Sequence, residues 1–290
     1  MENEKLSRRG FLKLSLAATG EAALIILGGL SYARIIEPGW ETVTELALTL
    51  PHLAADFHGY RLVQISDIHI GTWMNRRRLA RVIETVNQLN PDLVVITGDF
   101  VYYDSEENAD ELISPLSGIV ARDGTLAILG NHDYWANPGM VREIIQSAGI
   151  LDISNAFQTL ERGNSLFHIA GVDDYWERKD RLDLVLDTLP TEGAAILLAH
   201  EPDYADISAN AKRFDLQLSG HSHGGQVILP FLGPPILPLY GRKYPMGLYQ
   251  VRDMLQYTNR GIGMIPPAIR FNCRPEITVF TLQSPGYNSG

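Results

Sequence analysis

Short aliphatic runs recur along the chain, and five of them stop on a residue that can ligate a metal. Residues 62–66 end at Asp67, 93–98 at Asp99, 126–130 at Asn131, 195–199 at His200 and 216–220 at His221. Each run is rich in aliphatic and β-branched side chains and closes on Gly or a polar residue, the pattern of a buried strand. Between the runs the apolar period lengthens. Asn75 is a suitable N-cap, and after it Leu79, Val82, Ile83, Val86 and Leu89 recur at three- and four-residue spacing, with Arg77, Arg78, Arg81 and Glu84 elsewhere, which predicts a helix to about residue 88. Residues 180–189 and 202–212 read as two further helices. Strands alternating with helices predict a layered α/β fold, in which ligands gather at the carboxyl ends of strands. The five strand ends therefore predict one site assembled from distant segments.

The last third differs. Residues 227–229, 247–251, 255–259 and 276–282 read as short strands joined by turns, so a second sheet packed on the first is expected there. Residues 42–50, with Leu46, Leu48 and Leu50 alternating, are expected to open that β region. A two-sheet sandwich with helices outside is the result, formed by a single domain over residues 41–284. A chain of 290 residues with 45% apolar side chains is long enough to bury such a core.

The start of the chain follows another logic. Ser7-Arg8-Arg9-Gly10-Phe11-Leu12-Lys13 resembles the twin-arginine export signal S-R-R-x-F-L-K at every position, and an apolar stretch, 14–30, comes next. Residues 1–33 are thus expected to be a twin-arginine signal or an N-terminal membrane segment. Glu21 interrupts the apolar run and disfavours a stable span, whereas Ser31-Tyr32-Ala33 offers the small residues that a signal peptidase reads. Partnership with the twin-arginine translocation machinery, delivery to the extracytoplasmic side and membrane association are expected.

A formal net charge of −10 argues against a broad basic surface gripping nucleic-acid phosphates. An anionic substrate must then be held by local cations, a few arginines or metal ions. Asp67 and His69, two apart, face the same way if extended and can hold one cation from one side. Gly98 lets the backbone turn tightly before Asp99, whose two oxygens can bridge two cations. Asn131 and His200 add a neutral oxygen and an imidazole. His221 and His223 flank one serine, and their spacing alone leaves open a claw on one metal, ligands to two metals, or plain turn histidines. Counted together, seven donors exceed what a four-coordinate zinc takes and suit two metals sharing one aspartate. Mixed oxygen and nitrogen donors suit Mn²⁺, Fe or Zn²⁺, and Cys273, the single cysteine, offers no softer set. Two divalent ions can hold a hydroxide nucleophile, orient a phosphate and neutralise charge, which is phosphoester chemistry. His132 is placed to assist the leaving alkoxide, and Asp133 to orient the His132 ring.

Read together, these blocks resemble the calcineurin-like metallophosphoesterase family. Its pattern D-x-H, G-D, G-N-H-[DE], H, G-H-x-H is present in order as Asp67-Ile68-His69, Gly98-Asp99, Gly130-Asn131-His132-Asp133, His200 and Gly220-His221-Ser222-His223. The resemblance implies a four-layer α/β/β/α sandwich of two mixed sheets. It also implies Asp67, His69 and His223 on one metal, Asn131, His200 and His221 on the other, and Asp99 bridging. The branch most similar is membrane-associated or twin-arginine-exported, with members assigned as UDP-diacylglucosamine pyrophosphatases of lipid A synthesis or as cell-wall phosphodiesterases. The expected activity is hydrolysis of a phosphodiester or pyrophosphate on a small-molecule, envelope or lipid-linked substrate. The alternative, a non-catalytic scaffold on the same fold, is disfavoured because scaffolds tend to lose ligands and this chain keeps all of them.

Other features carry simpler readings. His52, His58 and His168 fall outside the pattern and are expected to be surface or core histidines. Arg76, Arg77 and Arg78 can clamp a phosphate, but they fall on the polar face and suit a solvated helix start. The proline-stiffened apolar stretch 231–240 is expected either to admit a lipid-linked phosphoester or to pack on its own sandwich.

Overall fold

The computed structural model describes residues 7–71, 73–103 and 107–285. The first aliphatic runs form β2 (Tyr60–Ile65), β3 (Leu93–Thr97) and β4 (Thr125–Ile128), nearly all of whose side chains are buried. They lie parallel at the middle of a six-stranded sheet ordered β1-β12-β2-β3-β4-β5, with β1 (Thr42–Thr49), β5 (Leu151–Asp152) and β12 (Glu276–Gln283) completing it. A second six-stranded sheet is ordered β10-β11-β9-β8-β7-β6. It comprises β6 (Ala156–Arg162), β7 (Ser165–Gly171), β8 (Ala194–Leu198), β9 (Leu216–Ser219), β10 (Gly247–Val251) and β11 (Met254–Thr258).

Three apolar layers separate four structural ones. Between the sheets, Leu62, Val95, Ile128 and Phe280 meet Phe167, Ile196, Leu218 and Tyr257. Outside the first sheet, α2 (Arg76–Gln88), α3 (Glu107–Leu116) and α5 (Pro138–Ser147) lay Val82, Leu112 and Ile145 on Val63, Val94 and Ile96. Outside the second, α6 (Leu182–Thr188) and α7 (Ala205–Ser208) pack Val185 and Ala205 on Ala170, Ala195 and Leu197. This is the expected α/β/β/α sandwich of two mixed sheets. Asn75 caps α2 as its position suggests, accepting the Arg78 backbone N–H at 3.1 Å.

Four expectations about elements are corrected. Neither the strand at 42–50 nor that near residue 276 joins the second sheet: β12 is buried along most of its length and pairs antiparallel with β2, and β1 lies parallel on its other edge, at the margin of the first sheet. The apolar side chains of β12 need cover on both faces, which the first sheet provides. The second sheet instead recruits β6, whose half-exposed residues carry little apolar signal, and the largely buried β7. Residues 227–229 make only isolated bridges, to Phe271 and Gly233. The helix expected over 202–212 breaks into short 3-10 turns on either side of α7, ending where Lys212 enters the left-handed region at φ 51°.

The N-terminal helix α1 (Arg8–Ser31) stands apart in character, with Leu16, Leu24 and Leu27 exposed. The segment Thr19–Gly39 is long and apolar enough to cross a membrane, by length and composition. Just after α1 the chain is pinned to the domain. Ala33 accepts the Arg270 backbone N–H at 2.8 Å, and the buried Glu37 carboxylate accepts those of Asn272 at 2.9 Å and Cys273 at 2.5 Å. Residues 1–6, which precede the export pattern, lie outside the described residues.

Phe167 sits fully buried between the sheets, edge-on to Phe57 at 5.4 Å and Tyr60 at 5.5 Å. Phe167→Ala is expected to lower stability by about 3–5 kcal/mol through lost burial and a residual cavity. Urea titration checks this: the midpoint falls while the slope is unchanged.

Candidate metal centre

All seven donors are buried, and they stand at or just beyond the carboxyl ends of strands from both sheets. Asp67 and His69 follow β2, Asp99 follows β3, and Asn131 is the first residue of α4 (Asn131–Ala136) after β4. His200 follows β8, and His221 and His223 follow β9. Backbone bonds stitch these loops together: Asp67 N–H to Gly98 O (3.0 Å), His69 N–H to Asp99 O (3.1 Å) and Gly220 N–H to His200 O (3.0 Å). Across the sheets, the Asp67 carboxylate accepts the His221 backbone N–H at 3.0 Å, and buried Gln64 donates to Thr97 Oγ1 and Ser219 O, both at 3.0 Å.

The Asp67 and His69 side chains do converge, but not through an extended backbone. The strand stops at Ile65, and both residues lie in the left-handed region, φ 52° and 48°. Asp99, His221 and His223 share that conformation, φ 58°, 69° and 51°. For residues with a Cβ this costs roughly 1–2 kcal/mol each, and it persists only where surrounding bonds over-determine it. The loop stitching supplies that determination.

Backbone carbonyls fix which ring nitrogen offers its lone pair in His221 and His200. His221 Nε2–H donates to Leu239 O at 2.8 Å, so its Nδ1 lone pair faces Asn131 Oδ1 at 2.9 Å. His200 Nδ1–H donates to Thr97 O at 2.7 Å, and its Nε2 lies 3.2 Å from Asp99 Oδ2. His69 Nε2 lies 3.0 Å from His223 Nε2 and 3.4 Å from Asp99 Oδ2, while His223 Nε2 lies 3.3 Å from Asp67 Oδ1. Buried His223 Nδ1 has no hydrogen-bond partner among the described residues. Acceptors facing acceptors at such distances are what a divalent cation reconciles, and the donor set fits two. Asp99 lies between the two groups of donors, touching His69 on one side and His200 on the other.

The electrostatics agree. Burial drives the His69 pKa down to about 3, and burial, with His69 and Arg270 adding, holds His223 well below its ordinary range. His221 is lowered by burial and by His200. These three rings are therefore neutral, the ligating form of imidazole. Burial raises Asp67 to about 7, against the pull of His200. At Asp99, burial acts upward, yet His200, His132 and His69 outweigh it and hold the carboxyl well below the usual range. Burial opposes charge on His200 as well, but Asp99 and Asp67 raise its pKa well above that of free imidazole. Asp99 is thus the anionic centre of the site, with His200 charged against it and three neutral rings around them.

The expectation that Asp133 orients His132 is corrected. The Asp133 carboxylate is taken up by backbone N–H groups of Asp99 (3.0 Å), Phe100 (2.8 Å), Val101 (3.2 Å) and Gly130 (3.0 Å). It ties the loop after β3 to the start of α4. His132 Nδ1 lies 3.2 Å from Tyr102 O instead, and its ring stacks on Tyr102 and leans on Trp135. A cavity of 250 Å³ opens above the donors, with Asp99, Asn131, His221 and His223 in its lining. The rest of its wall is aromatic and apolar, formed by Tyr102, His132, Trp135, Trp176, Pro238, Ile265 and Pro266, with no Lys or Arg among the described residues.

The remaining candidates stay outside the site. His52 pairs with Asp215, His58 accepts the Ser284 N–H, and buried His168 is bonded to Thr159 and Glu192. Arg76 reaches Ser114, and Arg78 bonds Trp73 O while its guanidinium lies 4.2 Å over the Trp73 ring. A larger depression of 660 Å³ between α2 and α3 takes in Arg76 but none of the donors. Several supporting residues were not legible from spacing: Trp135 and Trp176 in the wall, and buried Arg270, which donates to Arg260 O (2.8 Å), Gly263 O (2.7 Å) and Cys273 O (3.1 Å). Gly263 N–H in turn holds Asp67 O at 2.7 Å.

Gly98 has φ 91°, and a Cβ there would lie 2.6 Å from His200 Nδ1 and 2.8 Å from Gly130 N. Gly98→Ala is therefore expected to displace His200 and lower bound divalent metal, with a stability loss of roughly 1–3 kcal/mol. Elemental analysis beside thermal unfolding reads both.

Residues 60–225 match the family model described as calcineurin-like phosphoesterase. The chain is 39% identical over 284 residues to an uncharacterized metallophosphoesterase, YkuE, of Bacillus subtilis (strain 168), across 97% of this chain and 99% of that protein. It is 29% identical to phosphodiesterase YaeI of Escherichia coli (strain K12), across 96% and 99%. It is 32% identical to a transmembrane protein with metallophosphoesterase domain of Danio rerio, across 97% of this chain and 65% of that protein. The matched span runs from the first residue of β2 past His223 and takes in all seven donors; the chain belongs to the calcineurin-like phosphoesterase family, as a metal-dependent phosphoester hydrolase whose fold carries a dinuclear divalent centre.

Proposed function

We propose that the chain hydrolyses a phosphodiester or pyrophosphate bond of an envelope or lipid-linked substrate, in preference to a phosphomonoester. One observation carries the preference: among the described residues the cavity wall has no Lys or Arg, and its surfaces beyond the donors are aromatic and apolar. A monoester brings two negative charges that metal ions alone would have to neutralise. A diester brings one, together with a second ester group that Trp135, Trp176 and Pro238 can cover. Asp67, His69 and His223 are assigned to one cation, Asn131, His200 and His221 to the other, and Asp99 to both, with Mn²⁺, Fe or Zn²⁺ suiting the donors. Bound divalent ions supply a polarised water as nucleophile and neutralise charge that develops on the phosphoryl oxygens.

His132 acts on the leaving group. Its backbone N–H donates to Asp99 Oδ1 at 2.9 Å and its Nδ1–H to Tyr102 O, so the ring is held with Nε2 left to donate a proton to the departing alkoxide. Asp133 positions both His132 and Asp99 through the backbone it holds. The envelope assignment rests on the twin-arginine pattern at Ser7–Lys13 and on α1, where Phe11, Leu16, Leu24 and Leu27 are exposed. A lipid A precursor of the UDP-diacylglucosamine type lies within this substrate class.

His132→Ala is expected to retain metal and lower kcat by roughly 10²–10⁴-fold with alkyl esters, and less with aryl esters, whose leaving groups need no proton. Asp99→Asn is expected to lose both metal and activity. Wild-type turnover of aryl phosphodiester should exceed that of the matching monoester, and the reverse order refutes the preference. Replacing Arg8-Arg9 by Lys-Lys should leave the protein in the cytoplasm on fractionation, whereas unaltered delivery removes the export assignment.

A further inference from the structure

A second functional surface lies beside the cavity. In the stretch 229–240, Phe231 is 107% exposed, Leu232 81% and Ile236 78%. The tip is not free to fall back on the domain. Leu229 and Gly233 exchange backbone bonds at 3.0 and 2.9 Å, Pro234, Pro235 and Pro238 stiffen the chain beyond them, and Phe231 itself is held at φ 67°, a conformation that side chains rarely adopt. The far end of the stretch is part of the site: Leu239 O orients His221, and Pro238 lines the cavity.

The near end meets the root of α1. Ile228 N–H donates to Phe271 O at 2.8 Å, the Tyr32 ring packs edge-on against Phe271 at 6.5 Å, and Ala33 O holds the next backbone N–H, that of Arg270. The apolar segment Thr19–Gly39 and the apolar tip therefore leave the domain from neighbouring points on the 270–271 segment. Ile35 and Ile36 are exposed between them, and exposed Arg34 and Arg242 offer cations on a chain of net charge −10. Two apolar elements flanked by cations at one edge match a lipid surface, which takes side chains below its headgroups and pairs the cations with phosphate.

We propose that the 229–240 loop is a bilayer-docking element which, with the segment after α1, seats the mouth of the metal cavity on the membrane, so that the hydrolysed phosphoester belongs to a lipid held there. The last step alone rests on the phosphodiesterase reading.

The test uses the full chain reconstituted in vesicles of phosphatidylcholine and phosphatidylglycerol. Phe231→Cys carries an environment-sensitive fluorophore, since Cys273 is buried, and Val120→Cys, exposed before β4 at the opposite end of the strands, is the control. The 231 probe is expected to shift to the blue and to be quenched by nitroxide lipids, while the 120 probe stays in water. A water-exposed 231 probe on vesicles overturns docking. So does a probe already shielded before vesicles are added in a chain that sediments as a dimer, because a second copy then covers the loop. Phe231→Ser with Leu232→Ser should slow hydrolysis of a vesicle-borne phosphodiester on the order of tenfold, while a soluble aryl diester changes less than about twofold. Equal loss on both overturns the coupling of loop to substrate. Should the unaltered chain hydrolyse neither ester, the phosphodiesterase reading fails, and the probes still decide docking.

Discussion

Side chains that offer lone pairs converge at the heart of this protein, and the strands of both sheets hold them there. Asn131 Oδ1 faces a His221 lone pair, His69 faces His223, and Asp99 lies against His69 and His200. Asp99 and His200 attract one another, but the Asn131–His221 contact does not form by such attraction. It is imposed by strands packed into two sheets, with the loops at their ends sewn together by backbone bonds and by buried side chains, the Asp67 carboxylate among them. Gln64 does this between the sheets and buried Asp133 at the start of α4, each with a single side chain that fixes several loops.

That imposition explains why the ligands lie so often in a left-handed backbone. In ordinary β geometry residues two apart share a face but stand roughly 6–7 Å from one another along the strand. Turning Asp67, His69, Asp99, His221 and His223 into positive φ reverses the chain within a residue or two and brings the donors together. The loss in local stability is offset by the surrounding core, and binding of cations to the folded form stabilises it further.

How much of this was legible in the sequence depended on whether a residue's role was local. The five aliphatic runs form strands whose ends converge, as their spacing suggests, because strand burial and residue type are both written in adjacent residues. Asp67-Ile68-His69 was found, but its geometry was misjudged, since nothing in three letters shows that β2 stops at Ile65. Asp133 was assigned to its neighbour His132, whereas its partners are backbone groups more than thirty residues away in sequence as well as one at Gly130. Sheet membership failed for the same reason: β12 and β11 look alike as short apolar runs, and which sheet receives each is settled by burial on one face or two. Arg270 and Glu37, both fully buried, carried no sequence signal, because buried charge is recognised only by the carbonyls or amides that surround it.

The pinning of the chain just after α1 has a bearing on processing. Ala33 is 5% exposed, its carbonyl is engaged by Arg270, and Glu37 four residues on is clamped by the 272–273 backbone. A peptidase needs several residues in extended form threaded through its cleft, so it can cut here only while this segment is peeled off. Were the segment before Ala33 a cleaved leader, its lifetime in the folded chain would be governed by the free energy of that local opening, and the Glu37 carboxylate would set it.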